Sequence, residues 1–397
     1  METYLVGGAV RDTVMGLAPK DHDYVVVGAT TADMIEDGFR PVGADFPVFL
    51  HPDTGDEYAL ARTERSDGEG HKAFVCETAD VSLAADLSRR DLTINAMAQD
   101  EDEGAIIDPF GGQADIAARV LRHVSSAFAD DPLRVLRVAR FAARFGFDVA
   151  PETADLCRSM VGRGDIDSLT PERIWIETEK ALNAPHPSRF FAVLREFGAL
   201  DVIFPEIAAL DVPQPPIHHP EGDALTHTMM VVDVATQTTD CPVTRFAALV
   251  HDLGKGATPT DILPSHHGHE EAGVVLVDAL CARLKIPNAY RDAGRQASQY
   301  HTLIHRARVI RPSKLVKLFV ALRAFHDRAA LDRLLAVADA DARGRGPTRV
   351  DVPYPNLDFV REAFDAARQV KPRKGLRGVA VGNAMLQDRA AAIKAAL

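Results

Sequence analysis

The sequence predicts an α+β protein: a mixed sheet with short helices comes first, and a wholly helical remainder follows. Two observations carry this. Through about residue 125, short β-rich runs alternate with short helix-like stretches. From about Asp131 the β signal fades, and Ala, Leu and Arg continue at helical spacing to the end.

The elements follow in order. Residues 3–6 (Thr-Tyr-Leu-Val) read as a strand and 10–15 as a helix. Residues 24–27 (Tyr-Val-Val-Val) are a second strand, and 31–37 a short capped helix with Asp33 and Glu36 in its first turns. Residues 48–50, 58–60 and 106–107 are further strands. The Gly-rich, charged stretch 66–71 reads as a mobile loop. The Pro-rich segment 213–220 and a breakpoint near 344–355 interrupt the helical remainder. The implied organisation is 1–130, 131–215, 216–345 and a helical tail at 346–397.

Composition narrows the function classes. At ~150 residues per domain, 397 residues suggest more than one domain, with enough chain for a sizeable core. Fifty-seven acidic against 45 basic residues give a net charge of −12. This excludes nucleic-acid binding by bulk positive charge but leaves room for a local basic groove. The four cysteines, Cys76, Cys157, Cys241 and Cys281, are dispersed, which fits a reducing compartment and offers no zinc CxxC pair. The N-terminus lacks a basic, apolar leader, and no run of ~18 apolar residues occurs. The expected location is the cytoplasm, with no membrane partner.

The segment Leu5-Val6-Gly7-Gly8-Ala9-Val10-Arg11-Asp12 reads as strand, Gly-Gly turn and helix start. Glycines there let the backbone approach a ligand, and helix-start amides favour an anion. Lys20-Asp21-His22-Asp23 then runs into the second strand. Residues i and i+2 of a strand share a face, so Asp21 and Asp23 present paired hard-oxygen ligands suited to Mg²⁺. Glu57, opening the run Glu57-Tyr58-Ala59-Leu60, is a candidate third carboxylate. Gly-Gly-x-x-Arg-Asp followed by a strand-borne Asp-x-Asp resembles the polymerase-β-like nucleotidyltransferases.

Two arginine-bearing segments follow. In Ser88-Arg89-Arg90-Asp91-Leu92-Thr93-Ile94-Asn95 the arginines suit phosphate, while Asp91 and Asn95 can bond a ribose hydroxyl or brace an arginine. A helix from Pro132 to Phe145, capped by Asp131, carries Arg134, Arg137, Arg140 and Arg144. At ~100° per residue these four fall within roughly 120° of one another. Four arginines and no lysine point to planar, bidentate recognition.

The ordered set Gly-Gly-Ala-Val-Arg-Asp, Asp-x-Asp, Arg-Arg-Asp-x-Thr-x-Asn, Asp-Pro-Phe-Gly-Gly and Asp-Pro-Leu-Arg-Val-Leu-Arg-Val-Ala-Arg-Phe closely resembles the bacterial class II tRNA nucleotidyltransferases, the CCA-adding enzymes. The resemblance extends through Leu169-Thr170-Pro171-Glu172-Arg173-Ile174-Trp175-Ile176-Glu177 and across nearly the whole chain. It implies a polymerase-β-like head and an all-α neck and body. Asp21 and Asp23 would bind Mg²⁺. Gly8, Arg11, Arg90, Asp91, Arg137 and Arg140 would bind the incoming ATP or CTP. Asp131 and Arg134 would read the base edge, and residues 66–72 would be the family's flexible loop. The family motif usually has Glu-Asp where this chain has Asp130-Asp131. An Asp accepting from an exocyclic amine and an Arg donating to a ring acceptor favour C and A over U and G, by ~1–3 kcal/mol per pair.

Histidine is frequent, with 15 in the chain. His227 lies in Leu-Thr-His-Thr, and His251-Asp252 opens His-Asp-Leu-Gly-Lys after an apolar helix. His266 and His269 follow, and Asp339 and Asp341 lie further on. A His, a His-Asp doublet and a distant Asp on helices can converge on one divalent ion. The pattern resembles the HD phosphohydrolase superfamily. His227, His251 and Asp252 are the expected ligands, with Asp341 or Asp339 as the last. His266 and His269 are ligands or phosphate contacts, and Lys255 would steady a phosphate. The expected metal is a divalent transition ion such as Ni²⁺ or Mn²⁺. In CCA-adding relatives such a domain implies phosphatase, 2′-nucleotidase and 2′,3′-cyclic phosphodiesterase activity.

The reading is therefore a CCA-adding enzyme with a helical HD domain, acting on tRNA with CTP and ATP, as a monomer or homodimer. A bacterial poly(A) polymerase is the alternative; the HD motif and the lack of a strongly basic C-terminus argue against it. An alarmone synthetase-hydrolase would place its HD domain first. A catalytically dead RNA-binding protein would not keep Asp21, Asp23, His251 and Asp252.

Overall fold

The computed structural model describes residues 1–42, 48–66, 74–77, 81–101, 103–346 and 348–397. The expected flexible loop at 66–72 falls almost wholly outside them. The chain forms two compact units, one of Met1–Leu169 with Glu196–Gly198, the other of Thr170–Arg195 with Ala199–Leu397.

The first unit is built on a sheet. Its elements are β1 (Glu2–Val6), α1 (Gly8–Val14), β2 (Asp23–Val27), α2 (Thr31–Glu36), β3 (Arg40–Val42), β4 (Val48–Leu50) and β5 (Glu57–Leu60). A hairpin of β6 (Thr63–Ser66) and β7 (Phe74–Glu77) follows, then α3 (Leu83–Ser88), β8 (Ala98–Asp100), β9 (Ile106–Ile107) and α4 (Gly112–Ala118). The seven-stranded order is β3-β4-β5-β2-β1-β8-β9. All its pairings are antiparallel except β2 with β5, which is parallel. The unit closes with β10 (Val120–Leu121), α5 (Leu133–Phe145), β11 (Asp148–Val149) and α6 (Pro151–Gly162).

Consecutive strand residues face opposite ways, and both faces of β2 are buried. Val25 packs with Val6, Leu87, Ala96 and Ala98. Val26 packs with Met34, Phe49 and Leu60. Each of the Val, Leu, Met and Phe side chains among them contributes about 1.5–3 kcal/mol when fully buried. The helix expected at 31–37 is capped one residue earlier, by Thr30. The Thr30 backbone N–H donates to Asp33 Oδ2 at 2.8 Å, and the Asp33 N–H donates to Thr30 Oγ1 at 3.3 Å.

The second unit is helical, running from α7 (Pro171–Leu182) and α8 (Pro187–Glu196) through α9 (Ala199–Ile203) and α10 (Pro205–Ala208). Then come α11 (Ala224–Thr238), α12 (Pro242–Val250), α13 (His269–Arg283), α14 (Asn288–His305), α15 (Pro312–Ala321), α16 (Ala329–Arg343), α17 (Asn356–Arg368) and α18 (Val379–Ala396). Its core has two characters. Val231, Ala235, Ala247, Ala248, Ala293, Ala297 and Ala340 form a cluster of small residues. These bring α11, α12, α14 and α16 close together; α11 carries His227, α14 His301 and His305, and α16 Asp341, while His251 and Asp252 directly follow α12. Phe319, Leu331, Leu335 and Phe364 anchor a larger cluster toward the C-terminus. Among the described residues no helix is long and apolar enough to cross a membrane.

Candidate functional site

In the first unit, Asp23 and Glu57 are register partners across the parallel β2–β5 pair, which puts their side chains on one face. Asp21 lies just before β2, and all three acids are exposed. Partial desolvation pushes the Asp23 carboxyl up; the Arg90 charge opposes this and Asp21 adds to it. Asp21, Asp23 and Glu57 do not close into a three-ligand cage. A pair of carboxylates completed by substrate phosphates is the arrangement Mg²⁺ favours, so these residues fit that ion.

The Gly-Gly turn leads into α1. Gly7 sits at φ 68°, and a Cβ there would stand 3.0 Å from Arg90 Nη1, so the turn requires glycine at this position. A Cβ at Gly8 would meet only Arg11 Nη2, at 3.5 Å.

The arginines are engaged rather than solvated. Asp86, which sequence reasoning missed, is fully buried and accepts from Arg89 Nη2 at 2.6 Å and Arg90 Nη2 at 3.2 Å. The Nε of Arg90 is buried without a hydrogen-bond partner. Arg11 is 4% exposed; its Nε donates to Asp12 at 2.8 Å and its Nη1 to Asn95 Oδ1 at 2.6 Å. Burial pulls the Arg11 pKa down, against the pull of Asp12. Asp91 accepts from Asn95 Nδ2 at 2.9 Å and from Arg137 Nε at 2.8 Å. Burial would raise the Asp91 pKa, but Arg137, Asn95 and the Leu92 amide hold it at about 2.

On α5, Arg134 donates to the carbonyls of Ala127 and Arg89, each at 2.6 Å. Asp131 Oδ1 accepts from the Leu133 amide at 3.0 Å. Arg140 lies 4.0 Å from the Phe141 ring centroid, and Arg11 and Arg144 each lie 4.9 Å from that of Phe145. A planar guanidinium stacks on an aromatic face more favourably than an ammonium group does, which accounts for arginine rather than lysine beside Phe141 and Phe145.

In the second unit, His227 on α11, His251 and Asp252 just after α12, and Asp341 on α16 converge. His227 Nε2 is 3.2 Å from Asp341 Oδ1, and His251 Nε2 is 3.1 Å from Asp252 Oδ2. All four are buried. Asp339 instead pairs with Arg343 at 3.3 Å. His269, His301 and His305, the last two on α14, join the cluster. His301 Nε2 and His269 Nε2 lie 3.3 and 3.5 Å from Asp252 Oδ1, and His305 Nε2 lies 2.6 Å from Asp341 Oδ2. His266 is engaged elsewhere, by Thr258 Oγ1 at 2.8 Å and the Pro213 carbonyl at 3.1 Å. Lys255 Nζ contacts Asp252 Oδ2 and Gln214 Oε1, both at 2.6 Å.

Sequence reasoning missed His301 and His305, and also Glu221, whose Oε1 is 2.8 Å from His227 Nδ1. The signal for the first two was present: a His-x-x-x-His spacing puts both rings on one helix face. Glu221 lies just after the Pro-rich segment, where no periodicity marks it.

Burial would raise the Asp252 and Asp341 carboxyls, yet both are held well below the usual range. His251 and Lys255 do this for Asp252, and His305 and His227 for Asp341. His227 Nε2, His251 Nε2, Asp252 Oδ1 and His269 Nε2 are all buried without hydrogen-bond partners. The Nδ1 of His251 is 2.7 Å from the Ala248 carbonyl, which fixes the tautomer and leaves Nε2 to ligate. Unsatisfied imidazole and carboxylate atoms facing one centre suit a divalent transition metal. A cavity of about 300 Å³ opens onto the cluster, lined by His218, Lys255, His301 and Arg345 among others.

Three family models match the chain: "Poly A polymerase head domain" over residues 3–122, "Probable RNA and SrmB- binding site of polymerase A" over 146–210, and "HD domain" over 224–344. A multifunctional CCA protein of Thioalkalivibrio sulfidiphilus is 53% identical, covering 99% of this chain and 98% of its own length. One from Nitrosococcus oceani is 52% identical over 100% and 99%. Among solved structures, a CCA-adding enzyme in an apo form aligns with TM-score 0.64 at 20% identity, covering 99% of this chain and 90% of that one. A Thermotoga maritima CCA-adding enzyme complexed with tRNA aligns with TM-score 0.62 at 18% identity, covering 100% and 87%.

Proposed function

The chain belongs to the multifunctional CCA protein family, CCA-adding tRNA nucleotidyltransferases with an HD domain, and from this premise we propose how its two sites divide the work. The head, residues 1–130, transfers C, C and then A from CTP and ATP to the tRNA 3′ end and releases pyrophosphate. Residues 131–215 select the nucleotide and bind tRNA, 216–345 form the HD phosphohydrolase, and 346–397 form the tail.

Asp21 and Asp23 hold Mg²⁺, with Glu57 as third carboxylate. When bound there, Mg²⁺ supplies positive charge against the triphosphate and the attacking 3′ oxygen. Gly8, Arg90, Arg137 and Arg140 hold the triphosphate and ribose. Arg11 and Asp91, both buried and paired, are positioning residues that keep those groups in register. Asp131 and Arg134 read the base. Arg134, anchored by two carbonyls, loses little freedom when it does so.

His227, His251, Asp252 and Asp341 hold a divalent transition metal such as Ni²⁺ or Mn²⁺. When bound, such an ion activates water and polarises a phosphoryl oxygen. Lys255 and Arg345 border the same cavity and supply cations for a phosphate. The site then hydrolyses 2′,3′-cyclic phosphodiesters, 2′-nucleotides and phosphomonoesters.

The observation that carries this reading is the coexistence of an exposed carboxylate pair on one sheet and a buried His/Asp cluster among helices. A pair of variants tests it. Asp21→Ala abolishes nucleotide addition and keeps cyclic phosphodiester hydrolysis, and Asp252→Ala does the reverse. Loss of both activities in either variant would refute two independent sites.

A further inference from the structure

A second cavity, of about 580 Å³, lies beside the one over the His/Asp cluster. The two share His218, His305 and Arg345 and meet along those side chains. The volume is that of a small-ligand site. Its walls are two irregular segments, 216–220 before α11 and 348–355 before α17. Pro216 and Pro220 stiffen the first wall and Pro353 and Pro355 the second. Proline fixes φ, so the cavity is formed in advance of any ligand.

The lining suits an anion with a flat apolar body. In a chain of net charge −12, no carboxylate among the described residues lines this cavity, whereas Arg345 and Arg349 both do. Ile217 is 86% exposed and Val352 43% exposed, so each wall leaves a large apolar side chain uncovered. A nucleotide has both features: a base for the apolar walls and phosphate for the arginines.

The two arginines stand at different depths. Arg345 borders both cavities; its Nη2 donates to Asp341 Oδ1 at 3.1 Å, and its Nε is buried without a hydrogen-bond partner. Arg349 is exposed and borders only the outer cavity. Tyr354 ties the outer wall to the cluster: its hydroxyl is 2.6 Å from His305 Nδ1, and His305 Nε2 is 2.6 Å from Asp341 Oδ2. An inner cation beside the His/Asp cluster and an outer one beyond the apolar walls match two phosphates separated by one nucleoside.

We propose that the outer cavity holds the 3′-terminal nucleoside of an RNA, with the base between Ile217 and Val352, the 2′,3′-phosphate over the His/Asp cluster and the preceding phosphate on Arg349. This rests on the phosphohydrolase reading of the preceding subsection and names what that site selects.

Hydrolysis by the full, Mn²⁺-loaded chain tests this, using substrates that carry the same five-membered cyclic phosphate. They are an adenosine dinucleotide ending in a 2′,3′-cyclic phosphate, adenosine 2′,3′-cyclic phosphate, and glycerol 1,2-cyclic phosphate, which has no base. In that order kcat/KM should fall about 10-fold at each step, first for a lost charge-assisted contact and then for lost apolar cover, with the change mainly in KM. Arg349→Ala should remove the first step and Ile217→Asn the second; both positions are exposed, so neither change disturbs a core. Equal kcat/KM for the adenosine and glycerol substrates in the unmodified chain overturns the nucleoside pocket and leaves the phosphohydrolase reading standing. Equal values for the dinucleotide and adenosine 2′,3′-cyclic phosphate overturn the RNA end in favour of a free nucleotide. A variant that slows every substrate equally has a structural role only, and its assignment falls. Hydrolysis of none of the substrates overturns the phosphohydrolase reading and the pocket with it.

Discussion

One oxygen of Asp91 takes both Nε and Nη2 of Arg137, at 2.8 and 2.6 Å. The other takes Asn95 Nδ2 at 2.9 Å, and Asn95 in turn accepts from Arg11. A single buried carboxylate thus ties α5 to the turn after α3 and to α1. Arg11 and Arg137 owe their placement to this chain of contacts.

The network makes stability depend on acid. The Asp91 carboxyl is held at about 2 in the folded chain against about 3.9 in an unfolded one. Its contribution, on the order of 2 kcal/mol, is present above about pH 4 and is lost as pH falls toward 2. Asp91→Asn is expected to destabilise the first unit by that amount at pH 7 and progressively less below pH 4. Urea unfolding of both proteins across this range checks it; a gap that does not narrow in acid contradicts it.

The Asp23–Glu57 register predicts a role for the third acid. Glu57→Gln should slow addition by roughly 10–100-fold, the usual loss when a group supporting a metal ligand is removed. The fall should lie mainly in kcat, with KM for CTP little changed, as steady-state kinetics would report. An unaltered kcat leaves Glu57 a solvated strand-end residue.

The cap that Asp131 provides and the base reading proposed for it separate experimentally. Its carboxylate caps the Leu133 amide, so Asp131→Ala should cost about 1 kcal/mol of stability. If it also reads the base, the variant's preference for CTP and ATP over UTP and GTP should shrink by ~1–3 kcal/mol. Asp131→Asn keeps a cap acceptor and should still lose selectivity. Incorporation ratios from mixed nucleotides decide between the two.

Gly254 is predicted to be irreplaceable. A methyl there would stand 1.9 Å from the His269 carbonyl, so Gly254→Ala must push α13 away from Asp252. Phosphohydrolase activity and Mn²⁺ retention should both fall, while nucleotide addition persists. A variant that keeps full metal content would show that the turn can relax in another way.

Much of this was legible in the sequence, for physical reasons. β2 announces itself through its Tyr-Val-Val-Val run, whereas the period-2 argument does not reach Asp21, which lies before the strand. The His-Asp doublet was marked by the apolar helix it follows. What the sequence conceals is long-range. Asp86, three and four residues before Arg89 and Arg90, stood at helical spacing and was readable, but nothing local shows that Asn95 bridges Arg11 and Asp91. The choice of Asp341 over Asp339 depends on which face of α16 turns toward α11, and neighbouring small residues decide that. Glu221 sits in an irregular connector, where only three-dimensional closure reveals it.

The most direct measurement reads the 3′ end of a tRNA transcript lacking CCA at nucleotide resolution, after incubation with the protein, Mg²⁺, CTP and ATP. The account predicts two Cs, one A and then a stop, with transcripts already ending in CCA left unextended. Long A tails, or no addition to any transcript, would contradict it.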